Sequence, residues 1–440
     1  MTTQLDKTLG PVLIWGLGVG YVISGMYFGW NLGLPEGGPY GLLVATGVVT
    51  ILYIAFVLGY AELACALPRA GGVFVYTSRA FGGSVGFIGG AAQLVEYILA
   101  PPAVAAAIGG YIHQVAPGVP VLAAAITAYL IFTAVNIIGV RLSVGFELVV
   151  TVLAVIELAV FGAVVLPHFS WRHFSYDALP HGWGGAFAAL PFAIWFYLAI
   201  EGIANVAEEA KRPQRDLPLG FGWAMATLVV LTALTLFGAV GADGWPAVVY
   251  DGTDTSNSPL PLAIAHVVDK GSWQFRALTG VGLVGLVASF HGILVAGSRA
   301  LLEFGRAGYA PRAVGEVHAG LRTPVVALLA NMVAGLVALI ALDTDDIILI
   351  AVFGALTLYV LSSAAVIALR RREPELARPY KTPLYPFAPV VAIALSLVCA
   401  GAMVWSYPTM AIAYVAIMSV AYALFVLFVP RAKRVTFDAG

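Results

Sequence analysis

Apolar runs separated by short polar, arginine-rich connectors recur along the whole chain. Runs long enough to cross about 30 Å of hydrocarbon as helices lie at Pro11–Leu34, Gly41–Leu67, Gly86–Val115, Val121–Val140, Val144–Leu166 and Ala186–Ala207. Six more lie at Gly220–Val240, Leu278–Glu303, Pro324–Leu342, Ile347–Leu369, Pro389–Trp405 and Met410–Phe428. The pattern predicts an all-α membrane protein of twelve transmembrane helices. Met1 to Gly10 is short and polar and leads into the first run without a small-residue cleavage site, so an uncleaved first span is expected rather than a signal peptide. A single membrane domain over residues 1–440 follows. Between Gly241 and Trp273, the longest connector, the apolar stretch Leu260–Val268 fits either a short helix over the vestibule or a plain loop.

Composition removes the soluble alternative. The chain is 61% hydrophobic and 10% charged, with a mean hydropathy of +0.94, against roughly 25% charged residues in a soluble domain. Its net charge of −1 hides a partition: with both termini on one side, nineteen of the 22 Lys and Arg residues share that side. Only Arg172, Lys270 and Arg276 fall on the other. By the positive-inside bias both termini are cytoplasmic, in a multi-pass protein of the cell's inner (cytoplasmic) membrane. Cys65 and Cys399 fall in apolar runs and suggest no disulfide framework.

Two spans carry interruptions. Span 1 reads Gly16-Leu17-Gly18-Val19-Gly20-Tyr21-Val22-Ile23-Ser24-Gly25-Met26, with Ser24-Gly25 near mid-membrane. A helix break there is tolerated only if it lines a cavity or packs on protein. Gly16, Gly18 and Gly20 serve close helix packing. Ser24-Gly25 alone fits packing as well as function. A second candidate break, Trp195-Phe196-Tyr197-Leu198-Ala199-Ile200-Glu201-Gly202, lies five spans later and tips the balance, because paired broken helices mark a transporter's midplane site.

Glu62, Glu96, Glu147, Glu157 and Glu201 lie within spans, whereas every Lys and Arg falls toward a membrane face, Arg299 near the cytoplasmic end of its span. Buried ionisable groups are costly and therefore functional by default. Glu62 and Glu147 sit near the cytoplasmic face, where an ion pair is expected. Glu96 and Glu201 are deeper, and Glu157 fits a neutral acid hydrogen-bonded to a neighbouring helix. A cavity with acids and no bases suits a cation, although the same acids could carry protons. His291, in Ser289-Phe290-His291-Gly292 of span 8, fits a substrate or proton role as well as a bridge between helices.

The segment Ala207-Glu208-Glu209-Ala210-Lys211-Arg212-Pro213-Gln214-Arg215-Asp216-Leu217-Pro218 resembles a signature of the amino acid/polyamine/organocation superfamily. So do Ala61-Glu62-Leu63 with Pro68-Arg69-Ala70-Gly71-Gly72, and Ser298-Arg299 through Gly308-Tyr309-Ala310-Pro311. Ile23 through Trp30, Val95-Glu96-Tyr97 with Ala100-Pro101-Pro102-Ala103, Pro191 through Phe196 with Ile200-Glu201-Gly202, and Ala288 through Gly292 resemble the bacterial ethanolamine permease branch. The resemblance implies a five-plus-five inverted repeat, with helices 1 and 6 broken: residues 1–170, then 171–372. Two peripheral helices and a cytoplasmic tail follow in 373–440. It places the substrate between the breaks of spans 1 and 6. Free N–H groups that hold a carboxylate in amino acid carriers map to Ser24, Gly25 and Met26, with Ile23 beside them. Carbonyls that hold the ammonium map to Trp195 and Leu198, and Trp195 resembles the family's gate. Two positions depart from the family. A lysine found on span 5 of proton-coupled members is replaced by Ala154, and Glu96 stands where amino acid carriers have a small or neutral residue.

The expected function is import of a small cationic amine, ethanolamine first, by alternating access. Its ammonium would lie near Glu96 and the span 6 carbonyls, with Tyr97, Trp195, Tyr197 and Phe290 supplying cation–π contact. Glu201, Glu157 and Glu96 are the candidate proton carriers, and Ser289 is a candidate ligand for a coupling sodium ion. The competing readings are a proton- or sodium-coupled amino acid permease on the same fold and, more distantly, a membrane sensor or channel. No metal-ligand cluster, nucleophile motif or nucleotide loop is present in the sequence, so neither an enzyme, a cofactor, a resident metal nor a nucleic-acid partner is expected.

Overall fold

A computed structural model describes residues 7–69, 71–138, 144–430 and 434. Ala70, Val140, Arg141, Arg431 and Lys433, used above in motifs, span limits and the charge partition, lie outside the described residues. The chain is almost entirely helical. It begins with α1 (Pro11–Val22) and α2 (Ser24–Tyr27), a 3-10 turn at Trp30–Gly33, α3 (Leu34–Ala66), α4 (Gly72–Phe81), α5 (Gly83–Val115), α6 (Val121–Ile138) and α7 (Val144–Val165). There follow α8 (Trp171–Phe174), α9 (Gly182–Ala188), α10 (Leu190–Trp195), a 3-10 helix at Ile200–Glu209, α11 (Pro213–Asp243) and α12 (Pro246–Val249). A two-residue hairpin, β1 (Tyr250–Asp251) with β2 (Asp254–Thr255), leads to α13 (Pro259–Ala265), α14 (Trp273–Arg306) and α15 (Val325–Ala341). The last helices are α16 (Thr344–Arg372), α17 (Phe387–Ser406) and α18 (Pro408–Phe428).

Among the described residues ten helices are long and apolar enough to cross a membrane, so the chain is a multi-pass membrane protein. Of the twelve expected spans, the first and ninth are shorter apolar helices, Pro11–Tyr27 and Val325–Ala341. The 17 residues of α15 rise only about 25 Å, because Pro324 and Leu342 stand outside the helix. The apolar connector stretch does form a short helix, α13. The ten-residue α4 had no counterpart in the span pattern, being shorter than a crossing and flanked by Gly71 and Gly82.

Exposure sorts the centre from the rim. The apolar core of Leu190–Glu209 is 100% buried and that of Gly83–Val115 is 83% buried, whereas α17 and α18 reach 33% and 17%. Span 6 and α5 therefore form the middle of the bundle, and α17 and α18 turn Trp405, Ile412 and Phe428 outward to lipid. Around span 6, α1 packs on α7, α11 and α14, while α5 packs on α14 and α16.

One end of the bundle is stitched by its charges. Arg370 donates from Nε to Glu62 Oε1 at 2.8 Å and from Nη2 to Oε2. Arg79 pairs with Glu373 at 2.8 Å, and Arg299 with Glu209 at 3.5 Å. Leu9 donates to the Glu209 carbonyl at 2.9 Å and accepts from Lys211 N–H at 2.8 Å, so the chain's start is tied to the end of span 6. The bonds of Arg79 and Arg370 join α4 and the C-terminal part of α3 to the end of α16, and that of Arg299 joins α14 to the end of span 6. Asp345 and Asp346 open α16 and Arg370 to Arg372 close it, the polarity its backbone dipole favours.

Candidate functional site

Span 1 is interrupted, but its larger departure is not at Ser24-Gly25. A single turn residue, Ile23, separates α1 from α2, and Met26 N–H reaches back only to Ile23 at 2.9 Å. Ser24 and Gly25 are themselves helical. The chain leaves the helix at Phe28, which is extended, and at Gly29, whose φ of 88° belongs to the left-handed region. Glycine is required there twice over: the conformation disfavours other residues, and a Cβ would run into the Trp195 indole. At Gly25 a Cβ would meet the Trp195 carbonyl oxygen. That carbonyl, assigned by resemblance to the ammonium, thus faces bare backbone of α2.

Span 6 breaks between α10 and its 3-10 helix, over Phe196–Ala199, with Ala199 left-handed at φ 75°. The two breaks are pressed together. Phe28 meets the Trp195 ring edge-on at 5.4 Å, and Trp30 stacks on Phe196 at 5.8 Å. The Trp30 indole donates to the Met26 carbonyl at 3.0 Å, so that oxygen is occupied, while Trp195 Nε1 has no partner. Leu198 is buried within the break, and Tyr197 turns its hydroxyl to Thr50 of α3 at 2.8 Å.

Directly beside the breaks lie two carboxyls. Glu201 is bound: Tyr97 donates to its Oε1 at 2.9 Å and Tyr359 of α16 reaches Oε2 at 3.5 Å. Tyr359 is in turn 2.9 Å from Tyr53, whose hydroxyl reaches the Ile194 carbonyl at 3.3 Å. Glu96, fully buried, makes no hydrogen bond of good geometry through either oxygen, yet its carboxyl is within electrostatic reach of Glu201. Among the described residues no Lys or Arg bears on either group. Two carboxylates so close in a dry interior repel, and each costs several kcal/mol to desolvate unless paired. They call for a positive charge between them, from a proton or a bound cation. Helix packing brings α16 against this point, since a Cβ on Gly354 would stand 3.2 Å from the Glu96 backbone nitrogen.

The other candidates scatter. Ser289 of α14 does reach span 1, with its hydroxyl 2.9 Å from the Tyr21 carbonyl and 2.8 Å from Ser24 Oγ. Phe290 and His291 point elsewhere: Phe290 meets Tyr129 of α6 edge-on at 5.0 Å, and His291 Nδ1 lies 3.1 Å from the Asn136 amide. One residue advances a helix by about 100°, so a side chain next to Ser289 faces α6 instead of the breaks. Glu157 accepts from Tyr27 at 2.7 Å, an acid tied to the segment just beyond Ile23. Glu62 has its expected ion pair. Glu147 has none: among the described residues no cation pairs with it, and its Oε1 is unpartnered beside Gly20 and Gly292. Tyr53 and Tyr359 were not among the sequence candidates, because a lone tyrosine in an apolar span carries no signal.

Glu96, Glu201, Tyr97 and Trp195 are all cut off from solvent. A buried acid beside two interrupted helices in a multi-pass bundle is the arrangement expected of a membrane transporter. Residues 11–438 match the model of the family described as Amino acid permease, and the chain belongs to that family. It is 29% identical to an uncharacterized transporter of Rhizobium meliloti (strain 1021), over 91% of this chain and 86% of that one. It is 28% identical to a branched-chain amino acid permease of Bacillus subtilis (strain 168), over 90% and 87%. A methylthioribose transporter of the same organism is 24% identical over 90% and 88%.

Proposed function

We propose that the protein imports a small cationic amine, with ethanolamine as the leading candidate, by alternating access around the paired breaks. The observation that carries this reading is Glu96: a fully buried carboxyl with both oxygens unpartnered and no base nearby. An ammonium supplies the missing charge and hydrogen bonds at once. Glu201, already held by Tyr97 and Tyr359, keeps the neighbouring wall in place and is a candidate for the coupling proton, as is Glu157. Aromatic rings of Trp195 and Tyr97 would complete the ammonium's surroundings. The basic end of the bundle would face the cytoplasm, following the bias of its arginines. A substrate held between Ser24–Met26 and Leu198 follows the family resemblance, with spans 1–5 and 6–10 as inverted halves. Ser289, bonded to the Tyr21 carbonyl, marks the place for a sodium ion should one be coupled.

A second reading, an amino acid substrate, draws support from the printed activity of the Bacillus branched-chain permease. Counterflow in proteoliposomes separates the readings. Accumulation of labelled ethanolamine, unaffected by a hundred-fold excess of alanine, serine or leucine, is the expected result. Equal competition by those amino acids would reject the amine in favour of the second reading, and absence of counterflow for any of them would reject both.

A further inference from the structure

Helix α5, which carries Glu96 and Tyr97, runs from Gly83 to Val115 although it contains Pro101 and Pro102. In an α-helix the carbonyl of residue 97 accepts from the N–H of residue 101, and proline has none. A slip of one position finds no donor either, because residue 102 is also proline. The Tyr97 carbonyl is therefore left without its helical partner, at a fully buried residue where an unmet backbone oxygen is costly.

The donor comes from α15. Asn331, itself wholly buried, donates from Nδ2 to the Tyr97 carbonyl at 3.2 Å. The other side of the amide is oriented by Tyr129 of α6, whose hydroxyl donates to Asn331 Oδ1 at 3.4 Å, and the Tyr129 ring is backed by Phe290. α14 makes room for this bond at Gly297, where a Cβ would stand 2.6 Å from Asn331 Nδ2 and 2.9 Å from the Tyr97 carbonyl oxygen. Tyr97 thus has its backbone held by α15 and its hydroxyl on Glu201, at 2.9 Å.

We propose that Asn331 is a positioning residue: its amide takes the place of the N–H that Pro101 lacks and thereby holds Tyr97 against Glu201. The role rests on the reading of the two breaks as the transport site, and it is the same whether the solute is an amine or an amino acid.

The test places 3-fluorotyrosine at position 97 of the full chain and records fluorine NMR, without substrate, for the native sequence, Asn331→Leu, Pro101→Ala and the two combined. Asn331→Leu should shift or broaden the resonance. With Pro101→Ala, residue 101 regains an N–H, so adding Asn331→Leu there should move the resonance less. An unmoved resonance, or the same displacement in both backgrounds, overturns the role, since plain packing of α15 predicts no dependence on residue 101. Folded Asn331→Leu protein obtained only together with Pro101→Ala supports it. Failure to fold in both backgrounds overturns it, because the amide would then serve something other than that carbonyl. Counterflow of labelled ethanolamine and of labelled leucine is measured on the same variants with ordinary tyrosine. For the solute that the native protein carries, Asn331→Leu should raise the half-saturating concentration about two- to tenfold, the worth of one neutral hydrogen bond. It should add nothing once Tyr97→Phe has removed the bond to Glu201, and an equal further rise in that background overturns action through Tyr97. Leucine counterflow alone, with the expected fluorine pattern, overturns the amine reading and keeps Asn331. Ethanolamine counterflow with an unmoved resonance does the reverse.

Discussion

Glu62 and Glu96 are both glutamates in membrane-crossing helices, on α3 and α5, and both are almost wholly buried, at 2% and 0% exposed. Their surroundings are opposite. Glu62 is saturated by Arg370, by the backbone N–H and the hydroxyl of Thr382, both at 2.6 Å, and by Arg378 at 3.4 Å. Glu96 has nothing. The first carboxylate is part of the wall, its desolvation offset by two arginines and a threonine. The second remains unsatisfied until something arrives. Burial and residue type are the same, so the partners alone separate the ion-paired acid from the one proposed to bind substrate.

The comparison breaks most sharply at Glu62. Glu62→Gln strands Arg370 and Arg378 without their carboxylate, a loss of about 3–5 kcal/mol, to be read as reduced thermal stability in detergent. An unchanged melting temperature would mean that this ion pair is not part of the wall. Glu96→Gln removes a buried carboxyl that no cation of the described residues pairs with, so folding should be unaffected or improved. Ethanolamine binding should weaken by about ten- to a hundred-fold, the worth of 1.5–3 kcal/mol for a hydrogen bond to a charged group. Binding as tight as wild type in equilibrium dialysis would make Glu96 another silent acid.

The smallest effect concerns Glu373, beyond the end of α16 and partly exposed. The Arg79 guanidinium holds its carboxyl below the usual carboxylate range. A lowered value means that the pair's contribution is fully present above the unfolded carboxyl's pKa of about 4.3 and fades as pH falls through the folded value. The contribution is screened and amounts to about 0–1 kcal/mol. Glu373→Gln should therefore lower stability slightly at pH 7 and not at pH 3, and a larger loss at the acid end would contradict the pairing.

Much of the fold was legible in the sequence because a lipid solvent leaves few options: apolar runs must be helices. The ten long spans follow from that, whereas α13 lies in a connector where a plain loop fitted as well. The amphipathic α4 did not, since ten residues between glycines read as a connector. At the site, paired interruptions were legible but their positions only roughly. Ser24-Gly25 looked like the break because two small polar-permissive residues sit together, whereas the backbone turns at Ile23 and again at Gly29, where the Trp195 ring decides. Ala199 takes a left-handed conformation that no property of alanine announces. Glu96 and Glu201 could be named from burial and charge, but their division of labour depends on Tyr97 and Tyr359, brought in from different helices. Phe290 and His291, one and two residues along α14 from Ser289, face α6, where His291 makes the bridge between helices that the sequence also allowed.

Trp195 gives the arrangement a practical use. Its indole is buried against Phe28 with the ring nitrogen unbonded, so its emission should be blue-shifted relative to an indole in water. Any movement that parts span 6 from Gly29 would bring water or substrate to that ring and shift its colour. Once the other eight of the nine tryptophans are replaced, the molecule carries its own optical reporter at the seam between the two interrupted helices, readable by stopped-flow fluorescence without an attached dye.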